Sequence, residues 1–226
     1  MKTTSVLIID DHQMMREALV TILERHKDIK VVGQAADGRE GAEKAAKLKP
    51  DVVTLDVAMP NLNGLDAARH IRRKSAATRI LILTAYEDDL FMQHALEAGV
   101  DGYVCKTSAA ETLAKAVREV AGGIKAFSPA VKKRLAQYEK NEGSSTMKRR
   151  RTDTLTERET EVLQLIAEGN ANKQTADKLG ISIKTVEKHR QSVMNKLHIH
   201  DTAGLTRHAI AAGLVETPAR FAIARA

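Results

Sequence analysis

Four short apolar runs in the first half of this chain each stop at a polar group able to do chemistry. Val6–Ile9 stops at Asp10-Asp11, Val52–Leu55 at Asp56, Ile80–Leu83 at Thr84, and Tyr103–Cys105 at Lys106. Runs this short, rich in β-branched residues and closed by turn chemistry such as Met59-Pro60-Asn61-Leu62-Asn63-Gly64, read as buried strands. Any one polar terminus is an ordinary cap or turn residue. Four together point to a shared site, because groups at the carboxyl ends of parallel strands converge on the crevice where ligands bind.

Helical patterns separate the strands. They cover about 13–26, 39–48, 64–74, 88–98 and 108–121, and a further strand begins at Val31-Val32. The expected fold is therefore α/β, a doubly wound five-stranded parallel sheet, since parallel strands need crossover helices. Ser128-Pro129 opens a short helix toward Tyr138, and a polar stretch follows that ends in Lys148-Arg149-Arg150-Arg151. It reads as a linker, whose basic cluster is solvated charge or a supplementary phosphate contact.

From residue 155 the pattern is helical throughout. Thr156 and Glu159 form a capping box ahead of Val162, Leu163 and Ile166, and Gly169 ends that helix. Asn172 is placed to cap a short helix, Gly180 makes a turn, and Ser182 caps a helix over 183–197. A fourth helix covers 202–212. Two short helices joined by a tight Gly turn are a helix-turn-helix, so this half is a small all-α four-helix domain. The expected divisions are 1–123, a linker over 124–152, a helical domain over 153–216, and a tail over 217–226.

The net charge of +7 lies entirely in the second half. Residues 1–128 hold 18 Lys+Arg and 18 Asp+Glu, whereas residues 129–226 hold 18 against 11. An anionic partner for the helical domain follows. On the 183–197 helix, at ~100° per residue, Lys184, Glu187, Lys188, Gln191 and Asn195 share an arc of about 100°. Val186, Val193 and Leu197 lie opposite, with His189 beside them. A polar face is ordinarily just solvated. In this basic, helix-turn-helix context, entry into the DNA major groove is preferred, with Glu187, Lys188 and Gln191 on bases and Lys184, Thr185 and Arg190 on phosphates. With no Trp, three Tyr and three Phe, stacking on single strands is disfavoured.

The single cysteine, Cys105, excludes an internal disulfide and reads as a small buried residue in a reducing compartment. No apolar run approaches the ~20 residues that span a bilayer, and no signal-peptide core is seen at the start, so a cytoplasmic location is expected.

On these residues the first half resembles the receiver domain of two-component response regulators. The matching features are the acidic pair, the Asp56 strand with Met59-Pro60 and Gly64, Thr84 and Lys106. The run LTERETEVLQLIAEGNANKQTADKLGISIKTVEKHRQSVMNKL resembles the LuxR-type helix-turn-helix, and the pair together resembles the NarL/FixJ family. The resemblance implies a flavodoxin-like receiver whose Asp56 accepts a phosphoryl group from a histidine kinase. It implies Mg²⁺ ligated by Asp11, Asp56 and the Ala58 carbonyl, with Asp10 assisting through water, Lys106 and Thr84 on the phosphoryl oxygens and Tyr103 as a switch aromatic. Oxygen-only ligation suits Mg²⁺, and the cation offsets repulsion among the acids. His12 is read as a helix-start residue and not a ligand. Promoter DNA and a second copy of the chain are further implied partners, with RNA polymerase a candidate. Leu205, Ala209 and Ala212 form a small-residue stripe suited to pairing two copies or to packing within their own domain.

One departure stands out. Many receivers carry a cis proline after the lysine, whereas Thr107 stands here, and a cis bond to a non-proline costs about 3 kcal/mol. Two rival classes are considered. Hydrolases that form an aspartyl-phosphate usually place a second carboxylate two residues on, where this chain has Ala58. A small-molecule-sensing regulator leaves the set Asp10, Asp11, Asp56 and Lys106 unexplained. Autocatalysed transfer and loss of phosphate are the only enzymology expected.

Overall fold

The computed structural model describes residues 3–84, 94–127 and 155–215. The chain divides into two compact units, Met1–Ser145 and Thr146–Ala226, and the division falls inside the stretch read as linker. The short helix toward Tyr138, the basic cluster Lys148–Arg151 and the tail lie outside the described residues.

The first unit alternates β1 (Thr4–Ile9), α1 (Gln13–Glu24), β2 (Ile29–Ala35), α2 (Gly38–Leu48), β3 (Val52–Asp56), α3 (Gly64–Lys74), β4 (Arg79–Thr84), β5 (Gly102–Cys105), α4 (Ala110–Ala121) and β6 (Ala126–Phe127). Most of the helix expected over 88–98 lies outside the described residues, but 94–97 are helical and Gly99 ends them at φ 74°. The sheet is parallel, in the order β2-β1-β3-β4-β5-β6.

Alternate residues of each strand feed two separate cores. Leu7, Ile9, Val53, Leu55, Ile80 and Ile82 pack with α2 and α3, whereas Val6, Ile8, Val52, Leu81 and Leu83 pack with α1 and α4. Burial on both faces is why these strands read as unbroken apolar runs rather than alternating ones.

The expectation of five strands needs one correction. A sixth, β6, pairs with β5 through Gly102↔Ala126 and Tyr103↔Phe127. It also lies within the stretch read as linker. Two residues are too short to show a period, and the edge forms because Gly102 has no side chain. A Cβ there would stand 2.9 Å from the Ala126 carbonyl oxygen and 2.6 Å from Leu81 Cδ1.

The second unit contains α5 (Glu157–Ala167), α6 (Asn172–Leu179), α7 (Ile183–Leu197) and α8 (Thr202–Ala211). Their shared core is Val162, Leu163, Leu165, Ile166, Ala176, Leu179, Val186, Val193, Leu205 and Ala209. The Thr156/Glu159 capping box is present, and Ser182 caps α7 by accepting from the Thr185 N–H at 3.1 Å. Gly180 turns between α6 and α7 at φ 63°. Asn172 is not the cap of α6. Ala171 occupies that position, and its N–H is answered by Gln174 Oε1 at 2.8 Å.

Candidate functional site

The strand order reverses between β1 and β3, and the carboxyl ends of these two strands carry Asp10-Asp11 and Asp56. An open α/β sheet forms its ligand crevice at such a reversal. Carboxylate oxygens of Asp10, Asp11 and Asp56 and a ring nitrogen of His12 lie within 4.8 Å of one another. Lys106, from the end of β5, reaches across to them. Its Nζ is 2.6 Å from Asp56 Oδ2 and 2.8 Å from Asp10 Oδ2.

The loop after β3 is built to leave Asp56 at the rim. Gly64 N donates to the Val57 carbonyl at 2.8 Å, and a Cβ on Gly64 would come within 1.9 Å of the Asp56 carbonyl oxygen. Asn63 caps α3 by accepting from the Asp66 N–H, and its amide donates to the Asp66 carboxylate at 2.8 Å. With α3 docked this tightly, the Val57 N–H meets Asp56 Oδ1 at 2.8 Å. Each oxygen of Asp56 therefore has one donor.

That is too few for a buried carboxylate. Burial pushes the Asp56 pKa up to about 6, with the Asp10 charge adding to the rise and Lys106 opposing it. The carboxyl is still mostly ionised at neutral pH. Burial also works against the charge on Lys106, but Asp56 and Asp10 outweigh it and raise its pKa.

A divalent cation fits this donor set. Asp10 Oδ2 and Asp11 Oδ1 are buried and make no well-aligned hydrogen bond; the first is ion-paired to Lys106 and the second stands 2.8 Å from His12 Nδ1. Three carboxylates with one ammonium leave negative charge to be met, and hard oxygen donors suit Mg²⁺. His12 sits where expected, at the N-cap of α1, with its ring turned toward the acids.

Thr84 ends β4 beside this edge, 1% exposed, and its carbonyl accepts the Lys106 N–H at 2.7 Å. Tyr103, 3% exposed, points into the core shared with α2 and α3. No cis peptide occurs among the described residues, so the Lys106–Thr107 bond is trans. Ser108 N closes an ordinary turn onto the Cys105 carbonyl at 2.9 Å.

Two contributors escaped sequence reasoning. The Val57 N–H is main chain and carries no residue signal. Arg16 donates to the carbonyls of Asp10 and Asp11, a contact that arises only because α1 begins directly after the acidic loop.

In the helical unit, Lys184, Glu187, Lys188, Gln191 and Asn195 are exposed on α7, whereas Val186 and Val193 are fully buried. Thr185 is half-buried and pairs its hydroxyl with Ser182 at 2.8 Å. Arg190, expected on phosphate, reaches Thr202 Oγ1 at 2.6 Å and Asn172 Oδ1 at 3.4 Å, holding α7 between α6 and α8. The pairing stripe requires correction. Leu205 and Ala209 are completely buried in the unit's own core and Ala212 is half-buried, because α8 packs against α5.

A doubly wound unit with acids at its switch point, joined in one chain to a helix-turn-helix, defines a class of protein: a DNA-binding regulator controlled through a receiver. Residues 6–118 match the response regulator receiver domain, and residues 153–209 match the bacterial regulatory proteins of the luxR family. The chain is 36% identical over 216 residues to the response regulator protein VraR of Staphylococcus aureus, covering 95% of this chain and 100% of VraR. RcsB of Salmonella enterica serovar Typhimurium, solved bound to promoter rprA in the presence of the phosphomimetic BeF3⁻, matches with 25% identity and a TM-score of 0.59. That match covers 92% of this chain and 98% of RcsB. The receiver domain of a Mycobacterium tuberculosis NarL matches at 32% identity and TM-score 0.53, covering 54% of this chain and 99% of that domain.

The chain belongs to the two-component response regulators with a LuxR-type DNA-binding domain, alongside the NarL and RcsB regulators. It is a transcription regulator and not a typical enzyme. No helix among the described residues is long and apolar enough to cross a membrane.

Proposed function

We propose that Asp56 accepts a phosphoryl group from a sensor histidine kinase in the cytoplasm, and that this promotes dimerisation and tightens binding to promoter DNA. The observation that carries the reading is the meeting of Asp10, Asp11, Asp56 and Lys106 at one sheet edge. One Asp56 oxygen attacks phosphorus as the bond to the donor nitrogen breaks; the electron pair leaves with the imidazole, which takes up a proton. Lys106 Nζ exchanges its contact with Asp56 for the incoming phosphoryl oxygens, and the Thr84 hydroxyl donates to them. Asp11, Asp56 and the Ala58 carbonyl would hold Mg²⁺, with Asp10 assisting through water, and the bound cation would neutralise charge gathering at the transferring group. Tyr103 and Thr84 transmit the change as a shift between two arrangements of the chain. Residues 1–123 and 153–216 act as the two functional domains.

On DNA, Glu187, Lys188 and Gln191 contact base edges and Lys184, Thr185 and Arg190 contact phosphates, Arg190 also tying the helix to Thr202 and Asn172. Pairing two copies supplies the specificity that one short helix lacks. With Leu205 and Ala209 buried, it uses a surface other than their stripe.

Mass spectrometry after incubation with acetyl phosphate and Mg²⁺ tests the phosphoacceptor. Wild type should gain one phosphoryl group, and Asp56→Asn or EDTA should prevent it; full labelling of Asp56→Asn sinks the assignment. Lys188→Ala and Gln191→Ala should each cost ~1–3 kcal/mol and change sequence preference. Lys184→Ala should weaken all sequences alike and flatten the salt dependence. Sedimentation and DNA titration with and without phosphodonor test the coupling; identical oligomeric state and affinity in both conditions refute it.

A further inference from the structure

The β1–α1 loop supplies two of the three carboxylates, yet its main chain is held by a side chain outside the pocket. Arg16, in the first turns of α1, donates from a single nitrogen, Nη1, to the carbonyls of Asp10 at 2.7 Å and Asp11 at 3.2 Å. Successive carbonyls of an extended chain point in opposite directions. Their convergence on one nitrogen requires the chain to turn sharply at Asp10-Asp11. The loop is closed from its other side as well. The His12 N–H donates to Asp10 Oδ1 at 2.9 Å, and the Asp10 N–H donates to the Ala35 carbonyl at 3.2 Å.

We propose that Arg16 is a positioning residue for the cation site, holding the Asp10-Asp11 turn in the shape that presents both carboxylates to Asp56. This rests on the reading of the pocket as a Mg²⁺ site. Arg16 itself would touch neither the cation nor the phosphoryl group. A guanidinium suits this task, since Nη1 holds its two hydrogens fixed in one plane, one for each carbonyl, and stands one bond farther from the backbone than a lysine ammonium.

The alternative is that Arg16 contributes only its charge, and the two accounts differ in sign. A cation beside the pocket repels Mg²⁺, so losing mere charge would tighten binding. Losing a support for the ligands loosens it, typically ~10-fold or more for groups that orient metal ligands.

Calorimetric titration of the full chain with Mg²⁺ at constant ionic strength, paired with thermal unfolding in EDTA, separates them. Arg16→Met, which removes donors and charge, should bind Mg²⁺ about 10-fold more weakly. Arg16→Lys, which keeps the charge but neither the reach nor the planar pair of hydrogens, should also bind more weakly, with a receiver unfolding transition in EDTA near that of wild type. Its preserved charge and mild change keep the test usable if Arg16→Met folds poorly. Binding by Arg16→Met as tight as or tighter than wild type, or full retention of affinity in Arg16→Lys, overturns the proposal. Failure of the wild type to bind Mg²⁺ overturns the pocket reading instead, and is seen before any variant is compared.

Discussion

Each unit of this protein buries one carboxylate against one lysine at nearly the same distance, and the two pairs behave oppositely. Asp56 Oδ2 lies 2.6 Å from Lys106 Nζ, and Glu159 Oε2 lies 2.7 Å from Lys196 Nζ. Burial drives Asp56 up to about 6. Burial would raise Glu159 too, but Lys196, the Ser192 hydroxyl at 2.6 Å and the Thr156 N–H at 2.7 Å outweigh it and hold the pKa at about 2. Glu159 is a finished structural group, joining the start of α5 to the second half of α7. Asp56 has a repelling neighbour in Asp10 and too few donors, so its ionised form is disfavoured in the fold. Ion-pair length alone does not distinguish a staple from a reactive site; the count of remaining donors and like charges does.

The largest effect should come from dismantling the finished pair. Glu159→Ala removes the capping box and leaves Lys196 and Ser192 without their acceptor, destabilising the helical unit by about 3 kcal/mol. Denaturant unfolding followed in that unit measures it, and a loss below about 1 kcal/mol breaks the contrast.

The reverse is predicted for the reactive pair. Asp56→Asn in EDTA should stabilise the receiver by about 1–2 kcal/mol, roughly half of what the rise from 3.8 to about 6 represents at 1.36 kcal/mol per unit, because Lys106 loses one of its two carboxylate partners. A receiver destabilised by that substitution would place Asp56 with the staples.

The pH dependences should carry opposite signs. For Glu159 the folded pKa is depressed from 4.5 to about 2, so its contribution is present above about 4.5 and disappears as pH falls toward 2. For Asp56 the folded pKa is raised from 3.8 to about 6, so ionisation erodes stability as pH rises through that window. The gain from Asp56→Asn should therefore be small below pH 4 and grow until about pH 6. Parallel pH series on wild type and variant read both windows.

The smallest effect sharpens the contrast. Mg²⁺ at about ten times its Kd should raise wild-type receiver stability by about 1.4 kcal/mol and leave the helical unit unmoved. Equal shifts in both units would mean non-specific ion binding.

Much of this was legible in the chain. The five longer strands, the strand-end acids and Lys106, the capping box and the polar arc of α7 all follow from periodicity and residue type. Those signals are local, set by 2.0- and 3.6-residue repeats and by turn chemistry. The start of β2 at Ile29, two residues before Val31, and the two-residue β6 fell below that signal. The Lys106–Thr107 peptide followed the other route, remaining an ordinary trans bond at a position where proline is common.

What only the tertiary structure decided is how each polar group is satisfied. Sequence alone assigned Arg190 no partner within the chain, and packing brings it to Thr202 and Asn172. Leu205 and Ala209 could face a second copy or their own domain, and α8 turns them inward. Asp56 and Glu159 are both carboxylates with a lysine partner far along the chain, and apart from the capping box that gives Glu159 the Thr156 N–H, nothing local foretells that one is raised and the other lowered. Those outcomes depend on donors brought together over separations of 33, 37 and 50 residues. Periodicity reports which face of an element is buried; only the folded chain determines what waits on the other side.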